Sequence, residues 1–121
     1  MKSYTDLEQS KILAEILPSE TADMYYSNRI DIKYQGAYSI GCKLGNPLLS
    51  QEIAAWSLTA LLEYLKNINS TVYIPMLYVH DNKWMLQFVE RGHGNIAEVE
   101  CDNPIDACYE MILKLKELNL L

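Results

Sequence analysis

The chain is poor in the residues that punctuate, staple or charge a polypeptide. Its 121 residues hold five glycines, four prolines, three cysteines and one phenylalanine. So few breakers, with 50% of residues hydrophobic, exclude a disordered or low-complexity chain. Three cysteines cannot pair completely, and the closest two, Cys101 and Cys108, fit no CxxC spacing; this argues against a disulfide framework or a zinc site and for reduced thiols in the cytoplasm. No stretch approaches the roughly 18 apolar residues of a membrane span, and Met1–Glu8 has no apolar targeting core, so no membrane partner is expected. Basic residues are scarce too. Ten Lys and Arg stand against sixteen Asp and Glu, and nowhere do even three basic residues gather within a turn or two. Phosphate binding works by clustered cations displacing counterions, so nucleic acid is not an expected partner.

The net charge of −6 sits at the ends: residues 1–20 carry −2 and residues 98–121 carry −4, leaving the middle neutral. Mild acidity of this kind is an ordinary solubility device. It also leaves open an acidic inhibitor that imitates nucleic acid.

The length suits one domain, 1–121, able to bury about two-thirds of its unfolded surface. Thr5-Asp6-Leu7-Glu8 reads as a capping box opening a helix whose stripe is Ile12, Leu13, Ile16 and Leu17, stopped by Pro18. Two extended stretches follow, Ala22–Ser27 and Ile30–Ile40, with Asn28 and Arg29 turning between them; Gly41–Ser50 reads as a loop. A second helix carries Leu58, Leu61, Leu62 and Leu65 on one face; either Ser50 or Ser57 can cap it. From Thr71 the period becomes two. Thr71–Val79, Trp84–Glu90 and Ile96–Cys101 form an antiparallel meander, with Pro75 placing the first of them at an edge or a bulge. The last helix is capped by Asp102 or Asn103, has Pro104 at its first position and buries Ile105, Cys108, Met111, Ile112, Leu115 and Leu118. The expectation is an α+β fold in the order α-β-β-α-β-β-β-α, with the three helices covering one face of an antiparallel sheet of about four to five strands.

No constellation carries chemistry. His80 and His93 fall in successive turns of a meander, at opposite ends of a sheet, which makes a shared metal site doubtful. Cys108 lies on an apolar stripe, and Cys101 alternates with acidic neighbours that raise a thiol pKa, so neither is a nucleophile. Glu98, Glu100 and Asp102 share one side of a strand about 7 Å apart, a pattern that suits a solvated face better than a cation site. No catalytic residue, metal ligand or cofactor is therefore assigned. A small enzyme or cation-binding protein using that acidic face stays as the alternative.

Nine tyrosines against one phenylalanine favour partly wet surfaces and interfaces. Tyr25, Tyr26, Tyr34 and Arg29 concentrate in the weakly patterned segment, and Tyr with Arg is what anchors partners. The expected function is a protein-interaction module, binding another protein or a second copy of itself through these four residues.

Three blocks resemble a family of small uncharacterised proteins from Bacteroides-like gut bacteria and their mobile elements. They are Tyr4–Ser10 running to Pro18 with Ala22-Asp23-Met24, Trp56–Glu63, and Asp102–Cys108 to the last residue. The resemblance covers about half the chain. It implies an accessory protein of a phage or conjugative element and brings no activity or motif residue with an assigned role.

Overall fold

The computed structural model describes residues 2–27 and 39–121. The fold is α+β, with three helices and antiparallel strands. Helix α1 (Leu7–Ala14) is followed by a 3-10 turn (Ser19–Thr21), strands β1 (Met24–Ser27), β2 (Ser39–Cys42) and β3 (Glu52–Ala55), and helix α2 (Leu58–Lys66). Strands β4 (Tyr73–His80), β5 (Lys83–Glu90) and β6 (Gly94–Cys101) lead to helix α3 (Pro104–Glu117).

Among the described residues the strands form two three-stranded antiparallel sheets, ordered β2-β1-β3 and β4-β5-β6, rather than one sheet of four to five. The added strand is β3. Its sequence, Glu-Ile-Ala-Ala, has helix-favouring alanines, which kept open a long α2 starting at Ser50. Pairing overrides that preference: Ala54 lies opposite Tyr25 and Ala55 opposite Met24, and both alanines are buried. Helix α2 takes the short form, with the Ser57 hydroxyl accepting from the Ala60 amide at 3.2 Å. The expected strand Ile30–Ile40 is described only from Ser39, within β2; the turn at Asn28 and Arg29 and the stretch to Tyr38 lie outside the described residues.

The cap of α1 is Asp6, not Thr5. Asp6 accepts from the Gln9 amide at 2.8 Å while the Gln9 side chain accepts from the Asp6 amide at 3.1 Å. Thr5 is drawn into the core instead, where its amide donates to the Trp56 carbonyl at 2.9 Å and its hydroxyl accepts from the Trp56 amide at 3.1 Å. Of the expected α1 stripe, Leu13 and Leu17 are buried, Ile16 is half-buried and Ile12 is exposed.

The β4–β5 connection is a two-residue turn, with Asp81 and Asn82 at φ 50° and 64°, the mirror-image geometry that suits the strands' twist. Pro75 lies on β4, which is an edge strand. Helices α2 and α3 pack on the inner side of this sheet and α1 packs on β3. A single hydrophobic cluster links both layers, from Leu13 and Trp56 through Leu61, Leu86 and Phe88 to Ile112 and Leu115. Helix α3 is capped by Asn103, whose side chain accepts from the Asp106 amide at 2.9 Å. Leu118 falls just past the helix and is exposed rather than part of its buried face, which Ala107 and Tyr109 widen.

Ile112 is fully buried whereas Ile12 is 43% exposed. Ile112→Asp is therefore expected to cost more than about 4 kcal/mol of a domain's roughly 5–15, and Ile12→Asp less than about 1. Urea unfolding of the two variants checks this; equal loss would mean that α3 does not fill the core as described.

Candidate functional site

Tyr25 lies on the central strand of the first sheet and is half-buried. Its cross-strand neighbours are small, Gly41 on β2 and Ala54 on β3. The ring lies over Gly41 so closely that a Cβ there would come within 2.7 Å of Tyr25 Cζ. With Cys42, Lys43, Asn46, Pro47, Leu49 and Glu52, Tyr25 walls a cleft of about 250 Å³. A larger cleft of about 770 Å³ adjoins it, sharing Cys42, Lys43, Asn46 and Pro47 and bounded by Ser19, Glu20 and Asp23.

The loop between these clefts is a tight turn in which the Asn46 amide donates to the Lys43 carbonyl at 3.0 Å. Its two central residues have positive φ, Gly45 at 80° and Leu44 at 52°. Glycine adopts that region freely; leucine does so at a cost of about 1–2 kcal/mol. The strain brings no internal packing, since Leu44 is 86% exposed, and Leu49 a few residues on is 66% exposed. The Lys43 ammonium donates to the Ser19 carbonyl at 2.8 Å and ties the loop to the 3-10 turn.

Of the four residues expected to bind a partner, Tyr25 lines the cleft and Tyr26 is held on the other side of β1. The Tyr26 hydroxyl donates to the Thr5 carbonyl at 2.8 Å, and its ring meets Tyr4 edge-on at 6.3 Å, so its polar tip is committed to the fold. Burial raises its pKa, with the neighbouring Tyr4 and Asp6 adding to the effect. Arg29 and Tyr34 lie outside the described residues. Leu44 and Leu49 were not singled out by sequence, although a signal existed: leucines set among glycine, asparagine and proline belong to no helical or strand period that would carry them into a core.

The acidic series does not converge. Glu98 and Glu100 are exposed on β6, Glu98 accepting from Asn95 at 3.0 Å, while Asp102 lies beyond the strand and pairs with Lys83. Among the described residues no group of three or more His, Cys, Asp or Glu side chains could hold a metal ion. His80, the last residue of β4 and 3.4 Å from Asp81, and His93, in the β5–β6 turn, lie at opposite ends of the β4–β5–β6 sheet. The Cys108 thiol is pushed up to about 12 by burial and by Cys101. Burial also raises Cys101, and the carboxylates of Glu110, Asp106, Asp102 and Glu100 add to it. Both thiols stay protonated at neutral pH and are poor nucleophiles.

A polar cluster joins the N-terminal arm to α3. Asp106 accepts from Lys2 at 2.9 Å, from Gln9 at 2.8 Å and from the Asn103 amide group at 2.7 Å. Burial works to raise its pKa, but these three donors outweigh it and hold the carboxyl below its ordinary value. All three partners are spoken for within the fold, which marks the cluster as a clasp.

No protein-family model, curated protein or solved structure matches the chain.

The clasp has a pH signature. A carboxyl depressed in the folded state contributes stability above its unfolded pKa, near 3.8, and that contribution disappears as pH falls through the folded value. Asp106→Asn is expected to lower the melting temperature at neutral pH, with the gap to wild type closing below about pH 4. A gap that stays constant down to strong acid would show that the carboxylate charge does not stabilise the clasp.

Proposed function

We propose that this chain is a protein-interaction module whose contact surface is formed by Tyr25 and the 43–49 loop. The observation that carries the reading is Leu44. A leucine held in the left-handed region and almost wholly exposed costs folding energy without packing against anything of its own, which is how strain is distributed when a segment serves contact. Leu49 and Pro47 extend the apolar surface, and the Tyr25 ring gives it a rigid amphipathic anchor. The partner is a protein that inserts apolar side chains into the adjoining clefts. Protonated thiols and splayed carboxylates support binding over catalysis. The resemblance of the terminal blocks to proteins of mobile elements fits an accessory role, exercised in the cytoplasm.

Leu44→Asn creates Asn-Gly, the pair favoured in such a turn, and is expected to stabilise the fold by about 1 kcal/mol while weakening partner binding. A photo-crosslinking residue at position 49 should join one partner of defined mass in lysate of the source cells. The same residue at Lys116 should not, and Leu44→Asn or Tyr25→Ala should suppress the product. Crosslinking that is equal from both positions, or untouched by both substitutions, would overturn this surface as the contact site.

A further inference from the structure

The outer edge of β4 is a second surface, separate from Tyr25 and argued on different grounds. Arg91 donates its amide to the Val72 carbonyl at 2.7 Å, continuing the β4–β5 ladder past the strand ends. Backbone groups alternate along such a ladder, so the register puts the amides and carbonyls of Met76, Tyr78 and His80 toward β5. Those of Tyr73, Leu77 and Val79 point away from it. Pro75 falls on this outward set, where its missing amide costs no bond to β5. Among the described residues no strand pairs with that edge.

The two edges of this sheet are treated differently. On β6 the outward carbonyl of Glu98 is capped by the Lys114 ammonium at 2.9 Å, and Glu98 and Glu100 place charges along the strand. Strand β4 has no Asp, Glu, Lys or Arg at all, and Met76, Tyr78 and Val79 are exposed by 48%, 38% and 55%. Charge is the usual protection of an open edge, and β4 lacks it.

We propose that β4 pairs antiparallel with β4 of a second copy of this chain, extending the sheet to six strands. Charge selects the occupant. In the order β6-β5-β4-β4-β5-β6 the two acidic strands lie at the far edges, about 24 Å apart and beyond the screening length of about 8 Å at physiological salt. An acidic protein thus meets itself through the one uncharged strand of this sheet, whereas a basic partner would be drawn to β6. Pro75 selects the register. Centring the two-fold axis on Leu77 would set Pro75 against Val79 of the second copy and leave that residue's carbonyl without a donor. Centring it on Tyr78 sets Leu77 against Val79 on both sides of the axis and completes four backbone bonds. The two Tyr78 rings then face each other on the outer side, in the closer, non-bonded type of pair.

Sedimentation across micromolar to millimolar concentration should show a monomer–dimer equilibrium. Tyr78→Lys and Tyr78→Glu, each placing like charges across the axis, should weaken it at least about tenfold without changing the melting temperature. Mixing the two variants should restore association. Independently, the Leu77 and Val79 amides of the wild-type chain should exchange with solvent slowly in the dimer and fast on dilution. A wild type that stays monomeric at millimolar concentration overturns the proposal. So does a dimer that both variants retain, or one in which these amides exchange fast throughout; a monomer that binds only a foreign strand peptide assigns the edge to another occupant and equally overturns it.

Discussion

The fold depends on how one tryptophan is held. Trp56 is fully buried, and it links the N-terminal arm, the 3-10 turn and the start of α2. Its backbone pairs with Thr5 in both directions, its indole donates to the Thr21 hydroxyl at 2.9 Å, and Ser57 beside it accepts the first turn of α2. Asp23 completes the junction by accepting from the Ser57 amide at 2.8 Å and from its hydroxyl. A buried indole N–H or threonine hydroxyl without a partner would cost more than the bond itself returns. Every polar group at this crossing has one, and among the described residues no buried side-chain nitrogen or oxygen lacks a partner. The position of β3, the start of α2 and the path of the N-terminal arm follow together from it.

That arm then reaches the other layer. Helices α1 and α3 both begin with a carboxylate, Asp6 and Asp106, which suits the positive end of a helix. Brought near each other, the two would repel. Lys2 lies between them, at 3.0 Å from Asp6 and 2.9 Å from Asp106, and converts the repulsion into a link between the two ends of the chain. Burial tends to lower the Lys2 pKa, yet the two carboxylates outweigh it and raise the group overall, so Lys2 is a cation at neutral pH.

The C-terminal half was legible because its signals are local. Alternation in Thr71–Glu90, the two-residue turn at Asp81 and Asn82, and the Asn103-Pro104 start of α3 each fix structure within a few residues. Pro75, read as marking an edge or a bulge, lies on β4, an edge strand among the described residues. The N-terminal half depends on contacts between distant residues. Thr5 had a sound local role as a cap and was taken from it by Trp56, so the cap moved one residue on. Glu52–Ala55 has no strand signal of its own and becomes β3 through its pairing with β1. At the candidate site the tyrosine count pointed to β1, the strand that carries Tyr25 and Tyr26. It could not separate Tyr25 from Tyr26, because that depends on which face of β1 meets Thr5. Leu44 was hidden for another reason: positive φ at a leucine opposes its preference, and local reading reports preference.

The Lys2–Asp106 and Thr5–Trp56 links also bear on the order in which the chain can assemble. The arm is separated from its partners by long stretches of chain, since Thr5 meets Trp56 51 residues later and Lys2 meets Asp106 104 residues later. Closing a loop of that size costs about 3–4 kcal/mol more entropy than closing the two-residue turn of the β4–β5 hairpin. The meander and α3 draw instead on contacts close at hand in the sequence, so by loop-closure entropy alone the arm's links are the costly ones to form.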